Sequence, residues 1–408
     1  MMRSPTASPA SAVEEIQGLY GAFSFPEKLL QKIWLRGDFD RAGAITSDGR
    51  SIRVGPPGKW NLLGGPDFRS ARLRLGDATA AEISGDVELH LRAADWDTHG
   101  HANDPAYDQV VLHVVLFPPE PGHVTLGAAG RIIPVLVLLP LLHRALEEFA
   151  ADEAVEGLAN RPFSRLPDEL GPLPAAELSA LLARHATARW RQKVHFAGLR
   201  LQRLGWEAAC HHGALEILGQ RFNRAPMLRI AGQWPLREWQ DARVAPSVVY
   251  TEENDGWSLQ GVRPANHPRV RLGQYAAWVK ARPDWPGAMR SLTYELPTVG
   301  EGQTTRDVRR AHRFRPLRAQ ISTEVCGGGI GGSRLDTFIC DGLLPLLAAD
   351  TGRDLSVIWH HWFAGDLPPL ITGGLRQLGF FDGREQPACH GAAQGLLGWL
   401  LEHEPGAR

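Results

Sequence analysis

The residues best suited to chemistry crowd between Asn61 and His113. In SGDVELHLRA the polar residues Asp86, Glu88 and His90 alternate with Val87, Leu89 and Leu91. A strand here places all three on one face, successive members about 7 Å apart. Upstream, NLLGGPDFRSARLRLG carries a Gly-Gly-Pro turn that fixes the backbone ahead of Asp67 and delivers that carboxylate to the start of another strand. Two carboxylates converging from neighbouring strands can hold a divalent ion, and hard ions such as Mg²⁺ or Mn²⁺ take oxygen ligands and keep several waters. Asp67 and Glu88 are therefore the candidate metal ligands. His90 is the group that positions or deprotonates water, and Asp86 is a supporting acid. The plainer alternative is a half-buried strand with a solvated polar face.

The following segment, DWDTHGHANDPAYDQ, adds His99, His101, Asp104 and Asp108 close to the same strand end. As phosphate contacts or proton carriers, His99 and His101 extend the catalytic set. A second reading has His99, His101 and His113 ligating zinc, and a third leaves the two loop histidines exposed beside an Asp104-Pro105 turn. His113 lies inside VVLHVVLF with apolar neighbours on both faces, which reads as a buried core imidazole with a satisfied partner. Glu27 reads as a solvated acid in the first turn of a helix.

Pro66-Asp67 and Glu88-Leu89-His90 resemble the PD and E-x-K elements of the PD-(D/E)XK nuclease core, and a helix followed by several strands agrees with its element order. The departure is His90 where that core has lysine: a histidine of unperturbed pKa about 6.5 is mostly neutral at pH 7 and acts as base or ligand. An alternative register uses Asp86-Val87-Glu88. The longer strings GGPDF, GDVELH, DWDTHGHANDPAYD and VVLHVV, with RPANHP further on, closely resemble the bacterial family called domain of unknown function 2851, through nearly the whole chain. That resemblance implies membership and brings no activity with it. The nuclease resemblance implies a metal-dependent phosphodiester hydrolase acting on nucleic acid. Its rival from another class is a non-catalytic scaffold whose polar strand face docks a partner.

The elements that must position these residues are legible around them. FPEKLLQKIWLRGDF places Leu29, Leu30, Ile33 and Trp34 on one helical face. Strand-like runs follow in AITSDGRSIRVG, with Asp48-Gly49 as its turn, then FRSARLRLG, SGDVELHLRA and QVVLHVVLF. RIIPVLVLLPLLHRALEEF is interrupted by Pro134 and Pro140, and reads as a buried strand running into a helix rather than a span of lipid. From Ala175 to Leu204 and from Trp206 to Arg221 the apolar period becomes helical. The expected fold class is α+β: a flexible leader over 1–12, a mixed α/β nuclease-like domain over 13–150, a linker over 151–174 and a mainly α-helical domain over 175–408.

At 408 residues the chain exceeds what one core usually organises. A formal net charge of −1 removes the global argument for a nucleic-acid binder and leaves only local patches. The sharpest in sequence is TTRDVRRAHRFRPLR, where Arg306, Arg309, Arg310 and Arg313 at helical spacing form a candidate phosphate-binding stripe, against the plainer reading of a solvated face. Four cysteines without C-x-x-C spacing read as free buried thiols, and the lack of signal-like or spanning segments leads to an expectation of a cytoplasmic protein with no membrane contact.

Overall fold

A one-sided apolar face forms helix α1, Glu27–Arg36, whose buried residues are Glu27, Leu29, Leu30, Ile33 and Trp34. It stops at Gly37, which takes the left-handed conformation (φ 59°) and returns its N–H to the carbonyls of Ile33 and Trp34. The computed structural model describes residues 13–18, 21–77, 79–159, 166–220, 223–253, 256–260, 262–300, 304–380 and 388–403, so the leader expected over 1–12 lies outside the described residues. The chain divides into two units, Met1–Ala150 and Ala151–Arg408.

Ahead of α1, strands β1 (Val13–Gly18) and β2 (Gly21–Pro26) form an antiparallel pair. The main sheet has six strands: β3 (Ile52–Val54), β4 (Lys59–Trp60), β5 (Phe68–Leu75), β6 (Glu82–His90), β7 (Val110–Val115) and β10 (Val135–Val137), in spatial order β10-β7-β6-β5-β3 with β4 also on β5. Between β7 and β10, β8 (Thr125–Leu126) and β9 (Ile132–Ile133) make a short antiparallel ribbon. Strands β3 to β6 pair antiparallel, whereas β6, β7 and β10 are parallel. Parallel neighbours need a crossover of a dozen or more residues. Residues 91–109 supply the one between β6 and β7, with a short helix α2 (Asp95–Thr98) inside it.

Alternation assigns the two faces. Ile52, Val54, Phe68, Ala71, Leu73, Val87, Leu89, Leu112 and Val114 join Leu29, Leu30, Ile33 and Trp34 in one core, so α1 covers the inner face. Arg53, Lys59, Arg72, Asp86, Glu88 and His90 alternate with those residues and take the outer face. A bulge between Phe68 and Ala71 puts Ser70 at φ 58°, and the Ser70 N–H donates to Asp86 Oδ1 at 3.0 Å.

The second unit is helical. The stretch 151–174, expected as a linker, instead carries the end of α3 (Leu146–Ala159) and the short α4 (Leu166–Glu169). Leu158, Leu166 and Leu170 are buried there with Leu178 and Leu182 of α5 (Ala175–Leu204) and Leu396 and Trp399 of the helix His390–His403. A larger core gathers Trp278, Trp285, Trp359 and Trp362 around α6 (Trp206–Gly219). All four cysteines are free and buried. Among the described residues no helix is long and apolar enough to cross a membrane.

Candidate functional site

The outer face of β6 ends in Glu88 and His90, both buried. The crossover after His90 folds back over this end. α2 stops at His99, Gly100 takes the left-handed region at φ 72°, and His101 opens a 3-10 turn over 101–103. With nothing within 4 Å of an ideal Cβ on Gly100, its requirement is backbone conformation alone. That reversal brings both imidazoles over β6. His90 Nε2 lies 3.1 Å from His99 Nδ1 and 3.3 Å from His101 Nε2. Glu88 Oε1 lies 3.6 Å from His90 Nε2 and 3.5 Å from His101 Nε2.

Three ring nitrogens thus crowd one point, with a Glu88 oxygen beside two of them. One proton satisfies one such pair, whereas a cation satisfies all four lone pairs. Tetrahedral zinc with ligands near 2.0–2.1 Å has six donor-to-donor edges of about 3.3 Å, and these four separations lie near that value. His90, His99 and His101 have ligand atoms within 4.8 Å of one another.

Behind His90 lies a supporting chain. His90 Nδ1 meets His113 Nε2 at 2.9 Å, His113 Nδ1 meets Thr125 Oγ1 at 3.0 Å, and His123 Nε2 meets the same hydroxyl at 3.3 Å. With His90 Nδ1 donating backward, its Nε2 lone pair faces the other donors, the usual arrangement of an outer partner fixing a metal-binding tautomer. His113 is therefore buried and partnered as expected, and it stands behind His90 rather than beside His99 and His101 as a zinc ligand. Trp96 is buried beneath the cluster, its indole N–H donating to the Leu126 carbonyl at 2.9 Å, and Tyr107 stacks on His101 with centroids 3.8 Å apart.

Asp67 approaches from the other side. Its backbone N–H donates to Glu88 Oε2 at 2.9 Å. Its own carboxylate accepts from Gln31 Nε2 of α1 at 2.7 Å and from the Leu89 N–H at 3.1 Å, extending the ladder where β5 has ended. Trp60 Nε1 donates to Gln31 Oε1 at 3.2 Å and orients that amide. The structure brings Asp67 and Glu88 together, but it divides their roles: one Glu88 oxygen binds the Asp67 backbone and the other turns to the imidazoles. Glu27 is buried rather than solvated, and its charge acts on Glu88.

Electrostatics follow from this packing. Burial pushes Asp67 up to about 7 against the opposing N–H donors. Burial raises Glu88 well above the ordinary carboxylate range, with the charges of Asp67 and Glu27 adding to it. Burial also holds His90 well below its usual value, helped by His113, His101 and His99. It holds His101 at about 4 and His113 at about 3. Neutral imidazoles and charge-starved carboxylates together describe a place that lacks positive charge.

The remaining candidates lie elsewhere. Asp86 is engaged with the Ser70 bulge on the same face. Asp104 caps the 3-10 turn 105–107 through the Ala106 N–H, and Asp108 is exposed. Arg306, Arg309, Arg310 and Arg313 do not form one stripe, because the helix ends at Ala311 and Arg313 takes the left-handed region at φ 52°. Arg309 donates to the carbonyls of His361, Trp362 and Ala388, and Arg310 pairs with Asp307 at 3.3 Å. Gln31, Trp60, Tyr107 and Thr125 carry no local signal of a site in the sequence, since each acts through a partner distant along the chain.

No curated protein and no solved structure matches the chain. A family model described as "Protein of unknown function (DUF2851)" matches residues 27–251, more than half of the chain. That span contains GGPDF, GDVELH, DWDTHGHANDPAYD and VVLHVV, and leaves RPANHP outside it. The chain belongs to the DUF2851 family.

Proposed function

We propose that this protein is a metal-dependent hydrolase of phosphodiesters whose ion is held by His90, His99, His101 and Glu88. The observation that carries the reading is the convergence of three imidazoles, His90 Nε2 lying 3.1 Å from His99 Nδ1 and 3.3 Å from His101 Nε2, with Glu88 Oε1 at 3.5–3.6 Å from two of them. Imidazole nitrogens favour zinc and its transition-metal neighbours over Mg²⁺, so the Mg²⁺ or Mn²⁺ expected from two carboxylates gives way to a zinc-class ion. Such an ion, when bound, polarises a phosphoryl oxygen and makes water acidic enough to attack at neutral pH.

The chain's own residues supply the rest. Asp67, whose backbone N–H holds Glu88 Oε2, is the proposed acceptor of a proton from water, which it returns to the leaving oxygen. Gln31 and the Leu89 N–H fix the direction in which that carboxylate points. His113 and Thr125 fix the His90 ring. Trp96 and Tyr107 exclude water from one side of the cluster. A cytoplasmic setting is supported by four buried free thiols.

The test is turnover of bis(p-nitrophenyl) phosphate and of labelled oligonucleotides by the full chain with Zn²⁺, Mn²⁺ or Mg²⁺, beside Glu88→Gln and His101→Ala. Ion-dependent turnover that both variants reduce at least ~100-fold is expected. Equal turnover by all three proteins, or none with any ion, removes the proposal.

A further inference from the structure

On the outer face of β3, β4 and β5, cationic side chains stand directly opposite one another. Arg53 pairs across the ladder with Arg74, and Lys59 with Arg69. Like charges facing each other at the ~5 Å of cross-strand neighbours are destabilising. Arg72 lies on the same face and reaches Glu82 at 3.7 Å across an exposed gap. Arg53, Lys59, Arg69 and Arg72 are exposed, and Arg74 is half-buried. The acids on the same face of the neighbouring strand β6 are Glu82, which faces Arg74 in register, Asp86, which is bonded to the Ser70 N–H, and Glu88.

This concentration of charge belongs to a chain whose formal net charge is −1, so it is a local feature and not a consequence of composition. Its position gives it direction. Ser84, Asp86, Glu88 and His90 run along the same outer face of β6, and the distance from Ser84 to Glu88 along the strand is roughly 13 Å. A phosphate chain lying across the arginine rows is thereby aimed at the buried end of β6.

We infer that the outer face of β3, β4 and β5, through Arg53, Lys59, Arg69, Arg72 and Arg74, binds the phosphodiester backbone of a nucleic-acid strand and leads it toward Glu88. The direction of the track rests on the metal-centre reading above, while the binding does not. Exposed cations on neighbouring strands suit a polymer of repeated single charges, and repulsion between Lys59 and Arg69 is relieved when a phosphate inserts between them. The neutral molecule as a whole keeps this binding local rather than a general attraction to anions.

The experiment uses the full chain without added metal, so that binding is separated from cleavage, and a fluorescein-labelled 20-nucleotide single-stranded DNA followed by anisotropy across a salt series. The variants are Arg53→Gln/Lys59→Gln/Arg69→Gln and its charge-keeping counterpart Arg53→Lys/Lys59→Arg/Arg69→Lys. Each lost phosphate contact lowers the log–log salt slope by about 0.7, so the glutamine variant is expected to lose a slope of about 2 while the charge-keeping variant retains it. An unchanged slope overturns the inference, as does loss of binding with Arg306→Gln/Arg310→Gln in place of the sheet variant. Polyglutamate or inorganic polyphosphate competing better than unlabelled oligonucleotide overturns the choice of partner. His99→Ala/His101→Ala is expected to bind DNA normally while losing metal, so failure of the track and failure of the metal centre are read separately.

Discussion

Imidazoles held neutral at physiological pH are effective ligands, and burial keeps His90 and His101 in that state. Their neutral forms are favoured by folding, because both lie below the unfolded value near 6.5. The stability they contribute is present above pH 6.5 and is lost as pH falls toward 4 and, for His113, toward 3. Asp67 runs the other way: raised to about 7, its contribution is full below pH 4 and disappears as pH rises through 7. Metal-free protein should therefore lose on the order of 1 kcal/mol between pH 6 and 8 through Asp67, a loss that Asp67→Asn abolishes in urea unfolding. Parallel curves for the two proteins contradict the assignment. With metal present, Asp67→Asn should keep the ion and lower kcat by about 10²-fold or more, because it removes a proton acceptor and not a ligand. Loss of metal from that variant would move Asp67 into the coordination sphere.

At the scale of elements, the site depends on the crossover between β6 and β7. Its reversal at Gly100 requires φ 72°, and Gly100→Ala carries a penalty of about 1–2 kcal/mol for a side chain in that region. The variant is expected to fold with its metal-free loop relaxed out of that turn, and so to bind Zn²⁺ about 5- to 30-fold more weakly in competition with a chelating dye, the affinity equivalent of that penalty; unchanged affinity shows that His99 and His101 converge without that turn. The strands and α1 were legible because their apolar periods are local: Leu29, Leu30, Ile33 and Trp34 are buried where helical spacing puts them, and Val87 and Leu89 alternate with Glu88 and His90 as expected. His99 and His101 were expected near this strand end as an extension of the catalytic set; what was not legible is the reversal at Gly100 that brings their ring nitrogens within 3.1 and 3.3 Å of His90 Nε2. The zinc reading included His113, which sits on β7 opposite Glu88 and turns its Nε2 to the Nδ1 of His90. Arginine spacing misled for a similar reason. The helix that would have aligned Arg306 with Arg313 ends at Ala311, and Arg309 caps carbonyls instead of facing solvent.

For the molecule as a whole, two units with separate cores make a binding effect local. An ion at 100 times its dissociation constant stabilises the state that binds it by about 2.7 kcal/mol. Amide exchange in β6, β7 and the 91–109 crossover is expected to slow on adding Zn²⁺, while the helical unit exchanges as before; uniform slowing throughout would point to a different binding mode. The proposed hydrolase turns on one cation being shared by three imidazoles and Glu88. The direct measurement is zinc content and X-ray absorption on the full chain after loading and dialysis, for the native sequence and for His99→Ala/His101→Ala. One zinc per chain with nitrogen and oxygen neighbours near 2.0–2.1 Å, lost in the variant, is the outcome this arrangement requires. Zinc that washes out of the native protein, or that the variant retains equally, contradicts it.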